Sequence, residues 1–118
     1  NSLIDNLSVK KNIKLWEFLH NIKISPIEIL SEFNLSHLIG DDVSSLSDGQ
    51  RKCISIQKLR FSKSMLWFLD EPFVFLDEKN SNILMKKIED FNKKDGIVIV
   101  TTNIDLGLKF QKEINLNV

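Results

Sequence analysis

Apolar residues in the first half of the chain recur at helical spacing. Val9, Ile13 and Trp16 lie on one face of a helix predicted over roughly residues 8–20. A second helix is predicted to start at residues 25–28, Ser-Pro-Ile-Glu, because serine can cap, proline suits the first turn and glutamate completes a capping box. The apolar face of this second helix is formed by Ile27, Leu30 and Phe33.

A third helix is predicted after residues 47–50, Ser-Asp-Gly-Gln, which also have the spacing of a capping box. Its apolar positions are Cys53, Ile56 and Leu59, three residues apart, and lysine and arginine occupy the other side. The first half of the chain is therefore predicted to be helical.

The hydrophobic pattern then changes. Residues 65–69 are an unbroken apolar run, which predicts a strand buried on both faces. Residues 79–94 return to helical spacing, and residues 97–100 are a second, β-branched strand. Strand, helix and strand in this length predict a parallel βαβ unit. Even with a short third strand near residues 114–118, this is too little for a parallel α/β sheet, so we expect part of a larger fold.

Composition narrows the class of protein. The 118 residues are 42% hydrophobic and 27% charged, as in a globular domain. Sixteen basic and 16 acidic side chains cancel, so no nucleic-acid partner is expected. No charged-then-apolar leader is visible, and Asn1 rather than Met opens the chain, which favours a fragment or a processed product. Lysine far outnumbers arginine, a bias typical of AT-rich genomes.

The most informative short string is Leu-Asp-Glu-Pro at residues 69–72, at the end of the first predicted strand. Ligands of open α/β sheets bind at the carboxyl ends of strands. There Asp70 can hold a divalent metal ion through water, and Glu71 can orient or deprotonate an attacking water. Taken alone, the pair is equally compatible with two solvated acids.

A second string, Leu-Ser-Asp-Gly-Gln at residues 46–50, opens the third predicted helix. A glycine beside a capping serine suits a phosphate, because the backbone approaches closely and the first N–H groups of a helix attract anions. Taken alone, this string is better explained as a capped helix with nothing bound.

Together the two strings resemble the nucleotide-binding domain of ATP-binding-cassette (ABC) proteins. Residues 46–50 match the signature motif and residues 66–71 match Walker B, while residues 74–77 and 98–103 lie where the D-loop and the switch belong. The resemblance implies an α/β fold of the P-loop NTPase class, ABC type, in partial form. Residues 1–62 would be a helical subdomain with the signature, and residues 63–118 the Walker B, D-loop and switch part of the sheet core, without the Walker A half.

A narrower resemblance is to the ATPase subunit of the cytochrome c maturation haem exporter. It rests on the short helical region, on Trp67 inside the Walker B strand and on Phe73 after Asp-Glu-Pro. That family occurs in bacteria and in some mitochondria, which fits the AT-rich composition. Core packing also explains Trp67 and Phe73.

The resemblance assigns roles to individual residues. It implies that Asp70 holds Mg²⁺, through water, and that Glu71 is the catalytic base. The nucleotide-binding residues that it implies are Ser47, Gly49, Gln50 and Asp77. In the family, the signature and D-loop act on ATP held by the opposite subunit, so the resemblance implies ATP and Mg²⁺ as cofactors and a head-to-tail dimer with a second ATPase subunit.

The chain departs from the family pattern at three points. No Walker A sequence occurs, so we expect the isolated chain to be inactive and to be the C-terminal part of a longer subunit. Asn103 stands at the catalytic switch position, where the family has histidine, and an amide cannot relay a proton. Asp48 replaces a signature glycine, and Cys53 replaces the usual arginine and is predicted to be a buried small hydrophobe.

The function implied is that of an ATP-binding and ATP-hydrolysing subunit of a membrane transporter that exports haem for cytochrome c biogenesis. Its partners would be a second ATPase subunit and a multi-span membrane permease. It would lie peripherally on the inner side of a membrane, either the matrix face of the mitochondrial inner membrane or the bacterial cytoplasmic membrane. Two alternatives stay open: a soluble ABC ATPase acting on DNA or the ribosome, and a catalytically degenerate partner subunit.

Overall fold

A computed structural model of the protein describes residues 3–103. Within these residues the order of helices and strands is α1 (Val9–His20), α2 (Pro26–Ser31), α3 (Asp48–Gln57), β1 (Leu66–Asp70), α4 (Glu78–Lys93) and β2 (Ile97–Thr101). Short 3₁₀ turns lie at Ser36–Leu38, Val43–Ser45 and Lys58–Phe61. The third strand predicted near residues 114–118 lies outside the described residues.

The first predicted helix is confirmed, and the structure shows a cap at each end. The Ser8 hydroxyl accepts a hydrogen bond from the N–H of Lys11 at 3.1 Å, which satisfies a donor that the first turn leaves free. Asn21 ends the helix in the left-handed region, at φ 53°. The predicted apolar face is buried and consists of Val9, Ile13 and Trp16.

The start of α2 is only partly as predicted. Pro26 does occupy the first turn, but Ser25 makes no side-chain cap. Glu28 does not complete a capping box, because its carboxylate accepts from the guanidinium of Arg60 at 3.3 Å. The predicted face is wrong at Ile27, which is 51% exposed, since the core lies on the side of Ile29.

The capping box of α3 is confirmed. The Ser47 hydroxyl accepts from the Gln50 N–H at 3.1 Å, and the Gln50 side chain accepts from the Ser47 N–H at 3.0 Å. The predicted apolar positions also hold, since Cys53 and Ile56 are buried and Leu59 packs against the core.

The helical part is built around two aromatic rings. Trp16 and Phe61 meet edge to face, with ring centroids 5.9 Å apart, and both are almost fully buried. Gln57 lies inside this core and donates from Nε2 to the carbonyl of Ile29 at 2.6 Å. That bond ties α3 to α2 and offsets part of the free energy of burying the amide, whose Oε1 has no hydrogen-bond partner among the described residues.

The two strands are parallel, as predicted, with Leu66 opposite Ile97 and Asp70 opposite Thr101. The prediction that both faces are buried is wrong. On one face Trp67 stacks on Phe91 of α4, with ring centroids 3.8 Å apart and planes 2° apart.

The other sheet face is exposed because α4 covers only one side of the described sheet. The exposed apolar side chains on or beside it are Met65, Leu66, Phe68, Ile97 and Ile99. Phe68 is 66% exposed. A contiguous exposed apolar face of this kind is typical of a surface that packs against another part of a protein or a partner.

A polar cluster around Glu32 connects the helical part to α4. The Lys87 ammonium lies 2.9 Å from Glu32 Oε1, and the Gln57 amide donates to Oε2 at 3.2 Å. Burial opposes ionisation of Glu32, but Lys87, Gln57 and Arg60 together hold its pKa below the ordinary value.

Over residues 3–103, none of the helices combines the length and apolar character needed to cross a membrane.

Candidate functional site

Two adjacent carboxylates lie at the edge of the sheet where both parallel strands end. Asp70 is the last residue of β1 and pairs with Thr101, the last residue of β2. The Thr101 hydroxyl donates to Asp70 Oδ1 at 2.7 Å. The predicted position of the acidic pair, at the carboxyl end of a strand, is therefore what the structure shows.

Glu71 turns sharply out of the strand and is held in place by β2. Its φ is 46°, in the left-handed region, which costs about 1–2 kcal/mol for a residue with a side chain. Its N–H donates to the carbonyl of Thr101 at 2.8 Å, which extends the strand pairing by one residue. Such strain concentrates at functional positions, where surrounding contacts enforce it.

Both carboxylate oxygens of Glu71 are engaged. The backbone N–H of Asn103 donates to Oε1 at 2.8 Å, and the Thr102 hydroxyl donates to Oε2 at 3.2 Å. The structure thus brings the predicted base and the predicted switch residue together. The contact runs through the main chain of Asn103, whose side chain is exposed.

The segment after Pro72 folds into a tight turn that leads to α4. Phe75 has φ 66° and its ring is 64% exposed. Asp77 then caps α4, with Oδ1 accepting from the Asn80 N–H at 2.8 Å. The aspartate predicted to face a second subunit therefore also fixes the start of a helix in its own chain.

The Ser47–Gln50 segment touches this turn directly. A Cβ on Gly49 would lie 2.9 Å from the carbonyl oxygen of Phe75, so only glycine fits there without a shift of the backbone. Ser47 and Asp48 are exposed at the start of α3. There the carboxylate of Asp48 stabilises the positive end of the helix.

The acidic pair fits a hydrated magnesium ion better than a protein-built metal cage. Within residues 3–103, no cluster of three or more histidine, cysteine or acidic side chains is placed to bind a metal. Mg²⁺ needs less, because it keeps several waters and takes one or two carboxylates together with substrate phosphates. Asp70 is exposed and uses Oδ1 for Thr101, an arrangement that suits contact through water.

Cys53, which replaces the usual arginine, is buried as predicted. Burial, with the nearby negative charge of Asp77, raises the pKa of its thiol to about 11. The side chain is therefore a neutral, apolar part of the core at neutral pH.

A groove of about 580 Å³ runs beside the acidic pair, between the α3 side and β1. It is lined by His20, Ser55, Leu59, Phe68, Asp70 and Pro72, among others. The groove therefore connects the exposed sheet face with the strand end where Asp70 lies.

Sequence reasoning did not assign a role to Thr101 or Thr102. Two hydroxyl side chains that follow a β-branched strand were the available signal, since that strand was predicted to run parallel to the one ending in Asp70-Glu71. Their partners are 31 positions away in the chain, so the pairing becomes visible only when the strand register is known.

The parallel strand pair, the paired carboxylates at its end and the capped glycine-containing helix define a class of protein, the ABC-type nucleotide-binding domain. Residues 1–74 match the ABC transporter family, and the chain belongs to that family. A dimeric ATP-binding cassette in a post-hydrolysis state, bound to ADP and Pi, is similar in structure, with a TM-score of 0.69 and 24% identity over 86% of this chain and 48% of that chain. The predicted fold class is confirmed.

More particular relatives are cytochrome c biogenesis proteins. The chain is 38% identical over 95 residues to the cytochrome c biogenesis ATP-binding export protein CcmA of Legionella pneumophila, covering 76% of this chain and 48% of the relative. It is 36% identical over 104 residues to the protein of the same name from Reclinomonas americana, covering 87% and 47%. The predicted resemblance is confirmed, and the chain spans about half the length of these relatives.

Proposed function

We propose that this chain is the signature and Walker B part of an ATPase subunit that hydrolyses ATP. The observation that carries this proposal is the anchored acidic pair at the end of two parallel strands. Asp70 is held by the last residue of β2, and Glu71 is held by the two residues that follow it. Residues 1–62 would act as the helical subdomain and residues 63–118 as part of the sheet core.

Asp70 would hold the magnesium ion, with water between them. When bound, the ion neutralises charge on the phosphates during transfer. Glu71 would orient the attacking water and take up its proton. A carboxylate has about four acceptor sites, and Glu71 uses two of them for Thr102 and Asn103, so it keeps acceptors for a water.

The first turn of α3 would bind phosphate of a nucleotide held by a second subunit. The Ser47 hydroxyl already accepts from Gln50, and its proton is left to donate to an anion. The N–H groups of Asp48 and Gly49 precede the first intrahelical donor, which is Arg51. Donors of this kind at a helix start bind phosphate well.

The exposed face of the sheet supports action within a larger cassette. The chain spans about half the length of the curated relatives it matches, and the apolar side chains of this face need cover. A Walker A loop, which this chain lacks, would supply most of the phosphate cradle. The isolated chain would accordingly bind ATP no better than weakly.

We infer that the complete subunit drives export of haem for cytochrome c biogenesis, with a multi-span membrane permease as partner. The names of the relatives support this role. The subunit would lie on the inner side of a membrane, in a bacterium or on the matrix face of a mitochondrion. The Reclinomonas americana relative is compatible with either setting.

A degenerate, non-hydrolysing partner subunit is the second candidate. It is favoured by Asn103 at the switch position and by Asp48 in the signature. The first candidate expects measurable ATPase activity, whereas the second expects none.

The test uses the complete subunit that contains this sequence. Steady-state ATPase of the parent is compared with Glu71→Gln, which keeps the shape of the side chain and removes the base. We expect activity in the parent and its loss in the variant, with binding of a fluorescent ATP analogue retained. A parent without activity would favour the degenerate subunit, and a soluble role would be favoured if no membrane protein co-purifies.

A further inference from the structure

Two consecutive threonines at the end of β2 each hold one of two consecutive carboxylates at the end of β1. Thr101 donates to Asp70 Oδ1 at 2.7 Å, and Thr102 donates to Glu71 Oε2 at 3.2 Å. The strand register brings these residues together, since Asp70 pairs directly with Thr101. The two hydrogen bonds therefore act on two different acids from neighbouring residues.

We propose that Thr101 and Thr102 are positioning residues with separate tasks. Thr101 orients Asp70 toward the magnesium ion, and Thr102, with the N–H of Asn103, fixes Glu71 for the attacking water. This inference rests on the proposed function, because it assigns tasks within that same site.

A glutamate side chain has several rotatable bonds and is mobile unless other groups hold it. Glu71 leaves the strand at φ 46° and is only partly buried, so packing alone does not fix its carboxylate. Two donors on two different oxygens define both the position and the plane of the carboxylate. A displacement of about 1 Å in such a group commonly costs about a hundredfold in rate.

Thr101 holds the carboxylate that would bind the metal ion. Its hydroxyl donates to Oδ1 of Asp70 at 2.7 Å, which fixes the plane of the carboxylate and leaves both lone pairs of Oδ2 for a metal-bound water. Partners of this kind commonly change metal affinity by about tenfold to a hundredfold when removed. Loss of Thr101 should thus weaken the response to Mg²⁺ while the carboxylate of Glu71 stays anchored.

The experiment compares Thr→Val, which keeps the shape and removes the hydroxyl, with Thr→Ser, which keeps the hydroxyl. In the complete subunit, Thr102→Val should lower kcat by about tenfold to a hundredfold and leave KM for ATP and the half-saturating Mg²⁺ concentration unchanged. Thr101→Val should raise the half-saturating Mg²⁺ concentration by about tenfold. Thr101→Ser and Thr102→Ser keep the hydroxyl, so both should have the kcat and the half-saturating Mg²⁺ concentration of the parent.

Two further measurements do not need turnover. The Mg²⁺ dependence of binding a non-hydrolysable ATP analogue should shift in Thr101→Val and not in Thr102→Val. In the 118-residue chain, the amide proton of Asn103 should exchange with solvent faster in Thr102→Val, relative to the intrinsic rate for its neighbours, and at the parent rate in Thr101→Val, as measured by NMR. Unfolding midpoints of all four variants control for general loss of structure.

The outcomes separate this inference from the proposed function. If the parent hydrolyses ATP and the two valine variants behave alike, the separate tasks are refuted and the ATPase function stands. If the parent does not hydrolyse ATP, the proposed function fails, and the analogue binding and the exchange of the Asn103 amide proton still decide the inference. An Asn103 amide proton that behaves the same in Thr102→Val as in the parent overturns the inference.

Discussion

The carbonyl oxygen of Phe75 lies 2.9 Å from the point that a Cβ on Gly49 would occupy. The absence of a side chain at Gly49 therefore allows the start of α3 to touch the turn that precedes α4. In that turn Phe75 has φ 66°, and the next helix is capped two residues later by Asp77. The two segments proposed to act across a dimer are thus in direct contact within one chain.

Gly49→Ala is expected to destabilise the chain by about 1–3 kcal/mol, because a backbone carbonyl must move to admit the methyl group. The measurement is the free energy of unfolding from urea denaturation. Gly40→Ala is the matched control, since a Cβ there meets nothing within 4 Å, and its effect should stay within about 0.5 kcal/mol. Equal midpoints for the two variants would contradict the close contact.

The polar cluster around Glu32 should make the free energy of unfolding depend on pH in the acid range. The folded pKa of Glu32 lies below its ordinary value of 4.5, so the ionised carboxylate stabilises the fold above about pH 4.5. This contribution is lost as the pH falls through the lowered folded pKa. Lys87→Met should weaken it at pH 7, by about 1–2 kcal/mol, since it leaves a partly buried carboxylate without its nearest cation.

Urea denaturation at pH 7, 5, 4 and 3 would test this. The parent should lose more stability than Lys87→Met between pH 5 and pH 3. Lys86→Met serves as the control, because Lys86 is exposed and pairs with Asp90 at 3.6 Å, and its loss should change stability by less than about 0.5 kcal/mol. Parallel pH curves for the parent and Lys87→Met would rule out the linkage.

The stack of Trp67 on Phe91 depends on a third residue. A Cβ on Gly96 would clash with two carbons of the Phe91 ring, so the ring occupies the space that a side chain would need. Gly96→Ala should displace the ring, lower stability by about 1–3 kcal/mol and reduce the near-ultraviolet circular dichroism of the stacked pair. In a Phe91→Ala background the same change should have little effect, and a double-mutant cycle measures the difference. Additive effects would mean that the ring and Gly96 do not interact.

The features predicted correctly from sequence are those fixed by neighbouring residues. The capping box of Ser47 and Gln50 spans three positions, and the helices and strands follow from local periodicity. The box predicted at Ser25 had the same local pattern and failed, because Glu28 is drawn to Arg60, a residue 32 positions away. Local patterns thus hold where no distant partner competes.

The burial of the strands failed for a different physical reason. An unbroken apolar run indicates that both faces of a strand are buried in the complete protein. In the described residues the sheet face away from α4 is uncovered, as the exposed Phe68 shows. The acidic pair was predicted from its position at a strand end. The hydrogen bonds that Thr102 and Asn103 donate to Glu71 were not predictable. They depend on the strand register and on the left-handed backbone of Glu71, and no sequence pattern indicates either.

The last prediction concerns Asn103, where the family has histidine. The bond from its backbone N–H to Glu71 Oε1, 2.8 Å long, does not depend on the side chain, so Asn103→His should keep the carboxylate anchored. An imidazole would then add a group that can carry a proton, which an amide lacks. We expect Asn103→His to raise the ATPase rate of the complete subunit.

Steady-state ATPase activity at equal dimer concentration would measure this. Asn103→Ala is the matched variant, because it keeps the backbone N–H and loses the side-chain amide. If the amide of Asn103 contacts phosphate, Asn103→Ala should lower the rate, since one oriented polar contact in such sites is worth about a hundredfold to a thousandfold. The parent and Glu71→Gln establish beforehand that the site is active. With that shown, a histidine variant slower than the parent would mean that Asn103 is a working adaptation of this site, held in place by the same β2 terminus that anchors Glu71.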